Sequence, residues 1–350
     1  DLLAIAANTG NGGSITIRAA NNITANLEAQ ESDDGALTRI AAESLRTRNA
    51  GAAGTVDIEA GGDITLNRTT LSSATFSNSQ VTDENDVPLI GTINVSSGNE
   101  LVLTDSGAAV TTGGAGAAGD ITFSAPLIEL RGQRDVIETG ARARFLGRGY
   151  ESSTTGSGAA GSLTISGDTL VFANTSIASS SRLEPDQDSP GATVGDAGNV
   201  SIEGRVIQVT DGAQISALAN SFGDAGSVSI VASESIEVLD SQVSSASTYR
   251  NNDDRDDPRG GSAGNVMLQA QDSIRLIGAN LNIANTSRNP DVTTRPELQI
   301  NANEGSIYSE GSDIEAETTG LNPGGKVNLD AGDITLNGSR ISAITGLSGD

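Results

Sequence analysis

The sequence predicts an all-β fold, a right-handed parallel β-helix (β-solenoid) of about ten coils with three strands each. Three observations support this prediction: a repeat that recurs ten times, a three-strand pattern within the repeat, and insertions confined to one connection. Composition alone leaves the class open, because 2% aromatic residues, 43 glycines and a formal net charge of −25 also suit a disordered chain. A disordered chain would not be expected to repeat the same pattern in register, so the repeat favours a folded chain over a disordered one.

The repeat is clearest where two similar segments follow each other. GDAGNVSIEGRVIQVTDGAQISALANSF begins at Gly195, and GDAGSVSIVASESIEVLDSQVSSAS begins at Gly223. Further units begin at Gly51, Gly158 and Gly261, with weaker copies near Gly10, Leu89, Gly116, Arg295 and Asn322. Self-similarity over ten units indicates a stacked repeat architecture.

Each unit contains three strand signals. In the first strand two apolar residues flank a residue that is polar in nine of the ten units, which predicts one buried face. These pairs are Ile15/Ile17, Val56/Ile58, Ile93/Val95, Ile121/Phe123, Leu163/Ile165, Val200/Ile202, Val228/Ile230, Val266/Leu268, Leu298/Ile300 and Val327/Leu329. The second strand repeats the alternation, as in Ile207/Val209. The third strand centres on one apolar residue, at Leu71, Ile137, Ile177, Ile215, Val243, Leu281, Ile314 and Ile341.

The insertions are expected at the connection from the third strand to the next unit. Seventeen residues separate Gly198 from Ile215, and most units keep this spacing, whereas the distance to the next unit's glycine varies freely. Long loops are therefore predicted at one corner, in segments 28–51, 77–88, 131–150, 181–195 and 248–261. In the first segment the spacing of Leu37, Ile40, Ala41 and Leu45 predicts a short helix.

Turn residues mark a second corner, after the second strand. Asn and Asp tolerate left-handed backbone angles, and they recur at this point as Asn67, Asp105, Asn174, Asp211, Asp240 and Asn337. Translated copies of one coil pair in parallel at about 4.8 Å, so ten coils span roughly 48 Å. Parallel crossovers are right-handed by default.

We expect one β-solenoid domain over residues 1–350. The opening DLLAIAA resembles the tail of a preceding strand, and the chain stops soon after the strand ISAIT. We therefore expect a segment, or one protomer, of a longer rod whose bare strand edges pair with other coils. Any secretory leader is expected to lie outside these residues, and no apolar run of about 18 residues predicts a membrane-spanning helix.

Several kinds of chemistry are disfavoured by composition. His and Cys are absent, which removes the commonest general base, thiol nucleophiles and zinc-finger ligands. The acidic balance disfavours nucleic acid as a partner. Asp57, Asp120 and Asp168 lie on or beside strands, but no two share a phase in adjacent coils, as a glycosidase pair would require. We expect no catalytic, cofactor-binding or metal-binding residues and no enzymatic activity; a carbohydrate-active β-helix enzyme is the alternative.

Three charged or glycine-rich segments are candidate binding sites. Calcium could use Asp253, Asp254, Asp256 and Asp257, but interleaved arginines favour a solvated loop. The arginines at 131, 134, 142, 144 and 148 could hold an anionic glycan, but pairing with nearby acids is favoured. Gly113–Asp120 precedes a strand and lacks the Lys-Ser/Thr of a phosphate loop.

The repeat resembles that of filamentous-haemagglutinin-like exoproteins of the two-partner secretion class. The shared pattern is G-x-A-G-[N/S]-V-x-I followed by V-x-V-x-[D/N]-G-A-x-I-S-[A/S], clearest over 158–286 and 51–75. The resemblance implies a right-handed parallel β-helix, export through an outer-membrane barrel partner, and an extracellular adhesive or filamentous role. The family's N-terminal secretion domain, with its NPNG-type motif, is absent. Asn322-Pro323-Gly324 lies within a repeat unit and does not match that motif.

The function expected is that of an extracellular structural or adhesive rod. It would attach to a cell surface or a glycan, or assemble end to end with other copies of itself into a filament.

Overall fold

Every regular element in the described part of the chain is a β-strand. The computed structural model describes residues 1–6, 11–26, 38–44, 52–75, 90–113, 116–132, 149–154, 157–182, 195–248, 260–286, 289, 293–319 and 323–346. The predicted all-β class is thus confirmed over these residues.

The described residues form 29 strands. They are β1 (Leu2–Ala6), β2 (Ile15–Ala19), β3 (Ile23–Asn26), β4 (Thr38–Ser44), β5 (Val56–Ala60), β6 (Ile64–Asn67), β7 (Thr69–Thr75), β8 (Ile93–Ser97), β9 (Glu100–Thr104), β10 (Gly107–Thr112), β11 (Ile121–Ser124), β12 (Leu127–Arg131), β13 (Tyr150–Thr154), β14 (Leu163–Ser166), β15 (Thr169–Ala173), β16 (Ser176–Arg182), β17 (Val200–Thr210), β18 (Gln214–Asn220), β19 (Val228–Leu239), β20 (Gln242–Ser247), β21 (Val266–Gln269), β22 (Ser273–Ile277), β23 (Asn280–Asn285), β24 (Glu297–Asn301), β25 (Ser306–Glu310), β26 (Asp313–Thr318), β27 (Lys326–Asp330), β28 (Asp333–Asn337) and β29 (Arg340–Thr345).

All strand pairs are parallel, and each strand pairs with its counterpart in the next unit. The third strands form an 11-stranded sheet in the order β1-β4-β7-β10-β13-β16-β18-β20-β23-β26-β29. The first and second strands form two further rows, joined because β17 and β19 each run through both positions without a break. We call each successive set of first, second and third strand a coil, starting with β2–β4. The pairing is consistent with a β-solenoid.

The core lies between the rows and consists of stacked aliphatic side chains. Val228, Ile230, Ile236 and Val238 are buried because alternate residues of β19 face the same side. The interior tolerates few large rings, and Tyr150 is accommodated because the residue paired with it in the preceding coil is Ala108.

Two corrections concern the predicted insertions. The helix predicted in segment 28–51 is wrong: Thr38–Ser44 is β4, whose backbone pairs with β1 and β7. Its apolar spacing fits a helix, but Ile40 and Ala42 face the core of a strand, and the inter-coil ladder overrides the local pattern. Leu37 and Leu45 lie outside the described residues.

The placement of all insertions at a single corner is also wrong. Segments 77–88, 181–195 and 248–261 do fall in third-to-first connections, but 27–37 separates β3 from β4 and 132–149 separates β12 from β13. These two segments therefore join a second strand to a third strand. The third strand of the fourth coil is β13, so the assignment of Ile137 as its centre is wrong; Ile137 itself lies outside the described residues.

The left-handed corner after the second strand is confirmed at four of the six predicted positions. Asp105, Asn174, Asp211 and Asp240 all have positive φ. In the other two coils the prediction is wrong by one residue: Asn67 and Asn337 end their strands, and Arg68 and Gly338 take the left-handed conformation. The turn residue is fixed by where the strand ladder ends, and strand ends are difficult to read from one sequence.

Candidate functional surface of the stacked coils

A column of glycines brings successive coils together before the first strand. At Gly119, Gly161, Gly198 and Gly226, a Cβ would lie closer than 3.0 Å to backbone atoms of the glycine one coil earlier. Because real Cβ atoms do not tolerate such contacts with backbone, glycine is required for the spacing rather than for an unusual φ. At these four positions the recurring glycine is therefore a stacking contact between coils.

Buried serines of the third strands tie this column together. The Ser179 hydroxyl donates to the carbonyl oxygen of Gly161 at 3.0 Å and accepts from the amide of Gly198 at 2.7 Å. Ser152 and Ser245 make the same pair of contacts in two other coils. Each of these serines stands two residues after the apolar centre of its strand, and this spacing is the sequence signal that could have identified them.

Acidic side chains at the same corner accept backbone hydrogen bonds. Asp120 accepts from the amide of Ser162 at 2.7 Å, and Asp196 accepts from the amide of Asp224 at 2.8 Å. Asp224 in turn accepts from the amide of Ser262 at 2.6 Å. Each carboxylate thus holds the coil that follows it, which gives these acids a structural role.

The other two candidate catalytic carboxylates are also engaged between coils. Asp57 accepts from the side-chain amide of Asn94 at 2.8 Å. Asp168 accepts from Arg205 at 2.9 Å, and the same guanidinium donates to Glu234. The hydrogen bond to Asp168, followed by that to Glu234, raises the pKa of Arg205. A cation between Asp168 and Glu234 prevents them from facing each other across a substrate.

A buried carboxylate on the third-strand face carries no signal in the sequence pattern. Glu43 is only 3% exposed, although it points outward from β4. It accepts from Ser72 of the next coil and from Arg39 of its own strand. Ionised carboxylates inside proteins need such partners, because desolvation would otherwise disfavour the charge.

Two further glutamates of this sheet are each held by a serine and an arginine of the following coil. Glu151 accepts from Ser180 at 2.5 Å and from Arg182 at 3.3 Å. Glu315 accepts from Ser342 at 3.4 Å and pairs with Arg340 at 2.9 Å. In each case the serine belongs to the following coil, so the contact links neighbouring coils.

Two tyrosines have displaced pKa values. Burial raises the pKa of Tyr150, whose ring packs edge-on against Phe123 with centroids 5.4 Å apart. Its hydroxyl has no hydrogen-bond partner among the described residues. A hydrogen bond to Glu310, 2.6 Å long, raises the pKa of the half-buried Tyr308.

The remaining candidate binding segments lie partly or wholly outside the described residues. Asp253, Asp254, Asp256 and Asp257 are outside, as are the arginines at 134, 142, 144 and 148. Arg131 pairs with Glu129 at 3.0 Å. Gly113–Asp120 leads into β11, as predicted, and not into a helix. In the part of the chain that the structure describes, no group of three or more acidic side chains could hold a metal ion.

Exposed large apolar side chains are concentrated on three strands. Leu2, Leu3 and Ile5 lie on β1, and Ile334, Leu336, Ile341 and Ile344 lie on β28 and β29. Ile90 is the one other such residue among those described. Within the described ranges, no helix has the length and apolar character needed to cross a membrane.

No family model matches the chain, and neither a curated protein nor a solved structure matches it.

Proposed function

We propose that this chain is a rigid, right-handed parallel β-helix of ten coils that serves as an extracellular structural scaffold. The observation that carries the proposal is the parallel pairing of the three strand rows, in which each strand pairs with its counterpart in the next coil. A rod built in this way resists bending because its backbone hydrogen bonds run along its length.

A helical stack accounts for the pairings better than a closed barrel. The first-strand row runs from β2 to β27, and these two strands do not pair with each other in the described part of the chain. A barrel would join them, since closure removes both sheet edges. The right hand follows from the general preference of parallel crossovers.

The polar groups support a scaffold in preference to an enzyme. Asp57, Asp120 and Asp168 each bind a neighbouring coil, and Glu43 is held by Arg39. Carboxylates that act as an acid and base pair across a glycosidic bond would instead converge on an open groove.

The resemblance of the repeat to filamentous-haemagglutinin-like exoproteins supports an extracellular location and export through an outer-membrane barrel partner. Attachment to a cell surface or a glycan is proposed on the same basis. The acidic surface would keep such rods soluble and apart.

End-to-end assembly is proposed as the mode of self-association. The exposed leucines and isoleucines of β1, β28 and β29 lie beside strand edges, and a further coil placed there would bury them and pair the edges. Contacts of this kind are heterologous and extend into filaments when they do not close.

Electron microscopy and sedimentation of the 350-residue chain test the proposal. We expect rods with a unit length of roughly 48 Å that lengthen with concentration. Leu336→Glu should block lengthening, whereas Ile90→Glu, which changes a similarly exposed residue of the third coil, should not. Compact round particles would refute the rod, and equal lengthening in both variants would refute end-to-end contact. Release of reducing ends from a polysaccharide, lost in Asp168→Asn, would favour the enzyme.

A further inference from the structure

Six valine, leucine or isoleucine side chains of the described residues point outward from the second-strand row; Leu239 and Ile277 are two of them, and the other four form one group. Val102, Leu127, Val171 and Val206 belong to four consecutive coils, the third to the sixth, and each is half-buried. They alternate along their strands with fully buried residues such as Leu170, so they lie on the outer face. Elsewhere this row carries polar or charged residues in several coils.

The register arranges these four residues as a zigzag, with Glu129 between Val102 and Val171 and Thr169 between Leu127 and Val206. Leu127 pairs with Glu100 and Thr169, so it lies one outward position before the row that contains Val102 and Val171. Val206 continues the Leu127 row after Thr169. Three strand spacings separate the third coil from the sixth, so the aliphatic track is about 14 Å long and runs along the coil axis.

The charges around this aliphatic track leave one negative end. Glu129 lies within the track, between Val102 and Val171, but pairs with Arg131 at 3.0 Å, and Arg205 near the other end is held by Asp168. The Glu100 carboxylate beside Val102 has no partner among the described residues and is partly exposed. An occupant would therefore meet apolar groups along its length and an anion at one end.

We propose that the aliphatic track binds a slender, flat aromatic cation lying along the coil axis with its charged end at Glu100. In in-register parallel strands, rows of outward side chains lie about 7 Å apart, two residues along each strand, and leave between them a straight groove that a flat ring system can enter on edge. The cation is favoured by Glu100 and by the net charge of −25. A scaffold does not require this site, so the inference goes beyond the proposed function.

Titration of the 350-residue chain with thioflavin T, a flat aromatic cation about as long as the track, tests the proposal. We expect the fluorescence of the dye to rise and saturate as it binds. Val171→Lys, which places a charge in the track, should weaken the affinity about tenfold or more. Glu100→Gln should weaken binding less and reduce its dependence on salt. Ser201→Lys is the matched control, because Ser201 is also outward and half-buried but lies on the first-strand row.

The fold of each variant is checked by circular dichroism and by its unfolding midpoint. If Val171→Lys fails to fold, Leu127→Gln provides the same test without a charge. An anionic naphthalene sulfonate dye, which a lysine does not repel, should give the same fluorescence with Val171→Lys as with the parent chain. The proposal is overturned if the parent chain shows no saturable signal, if Val171→Lys binds as the parent does, or if Ser201→Lys loses as much affinity.

Discussion

The hydroxyl of Ser179 accepts a hydrogen bond of 2.7 Å from the amide of Gly198, one coil further along the chain. The same oxygen donates to Gly161 within its own coil, so a single buried side chain connects two coils at their closest approach. The side chain and the glycine column depend on each other: the glycines bring the backbones together, and the serine satisfies polar groups that this approach removes from water.

Replacing Ser179 with Ala is expected to destabilise the fold by about 1–3 kcal/mol, because the half-buried amide of Gly198 and the buried carbonyl of Gly161 each lose a partner. Thermal unfolding followed by circular dichroism measures the effect. Ser201→Ala is the control, since this serine faces outward and should change the free energy of unfolding by less than about 0.5 kcal/mol. Equal losses of stability in Ser179→Ala and Ser201→Ala would show that the hydrogen bonds of Ser179 do not stabilise the fold.

Gly198→Ala is expected to cost about 3 kcal/mol, since its Cβ would collide with the backbone of Gly161 and Ser162. The control is Gly346→Ala, where the added methyl group meets no atom within 4 Å. Chemical denaturation of both variants compares them directly. A tolerated Gly198→Ala would mean that the coils can separate locally, contrary to a rigid stack.

Tyr150→Phe is expected to stabilise the fold by about 1 kcal/mol or more, because the hydroxyl is buried without a partner among the described residues. The edge-on contact with Phe123 needs only the ring and should survive. Tyr308→Phe is the matched control and should be neutral or destabilising, since it removes the hydrogen bond to Glu310. A loss of stability in Tyr150→Phe would reveal a partner for this hydroxyl.

Stability is expected to fall above about pH 10, the ordinary pKa of tyrosine. The folded-state pKa of Tyr150 is raised by burial, so the unfolded state loses its proton first. The free energy of unfolding therefore keeps its full value below about pH 10 and decreases as the pH rises towards the folded-state pKa of Tyr150. Unfolding midpoints measured across this range should decline less in Tyr150→Phe; identical pH profiles would contradict a buried tyrosine.

Arg205→Gln is expected to lower the unfolding midpoint, because Asp168 and Glu234 then face each other without the cation that separates them. The loss should shrink as salt rises, since these groups are exposed and screened. Arg275→Gln, which removes a cation from Glu237 alone, should cost less. A loss that does not depend on salt would point to packing and not to charge.

The sequence allowed the all-β class and the buried rows to be predicted because both follow from local chemistry. The alternation of Val228 and Ile230 marks a face whatever the neighbours are. Asp211 and Asp240 were correctly placed in left-handed turns for the same reason. The contacts of the candidate surface were not predictable, since Ser179 and Glu43 acquire their roles from residues in other coils.

The order of strands, and hence which residues would stack, was determined by the sequence itself, because each repeat carries its own alternation and turn residues. Only the tertiary structure decided that Thr38–Ser44 is a strand and that Tyr150 begins one. The apolar spacing around Thr38–Ser44 suited a helix. The strand at Tyr150 follows a long insertion, so the sequence offered no regular spacing by which to place it. The edge of an existing sheet offers unpaired backbone groups that either segment can satisfy, and this long-range pairing outweighs local preference.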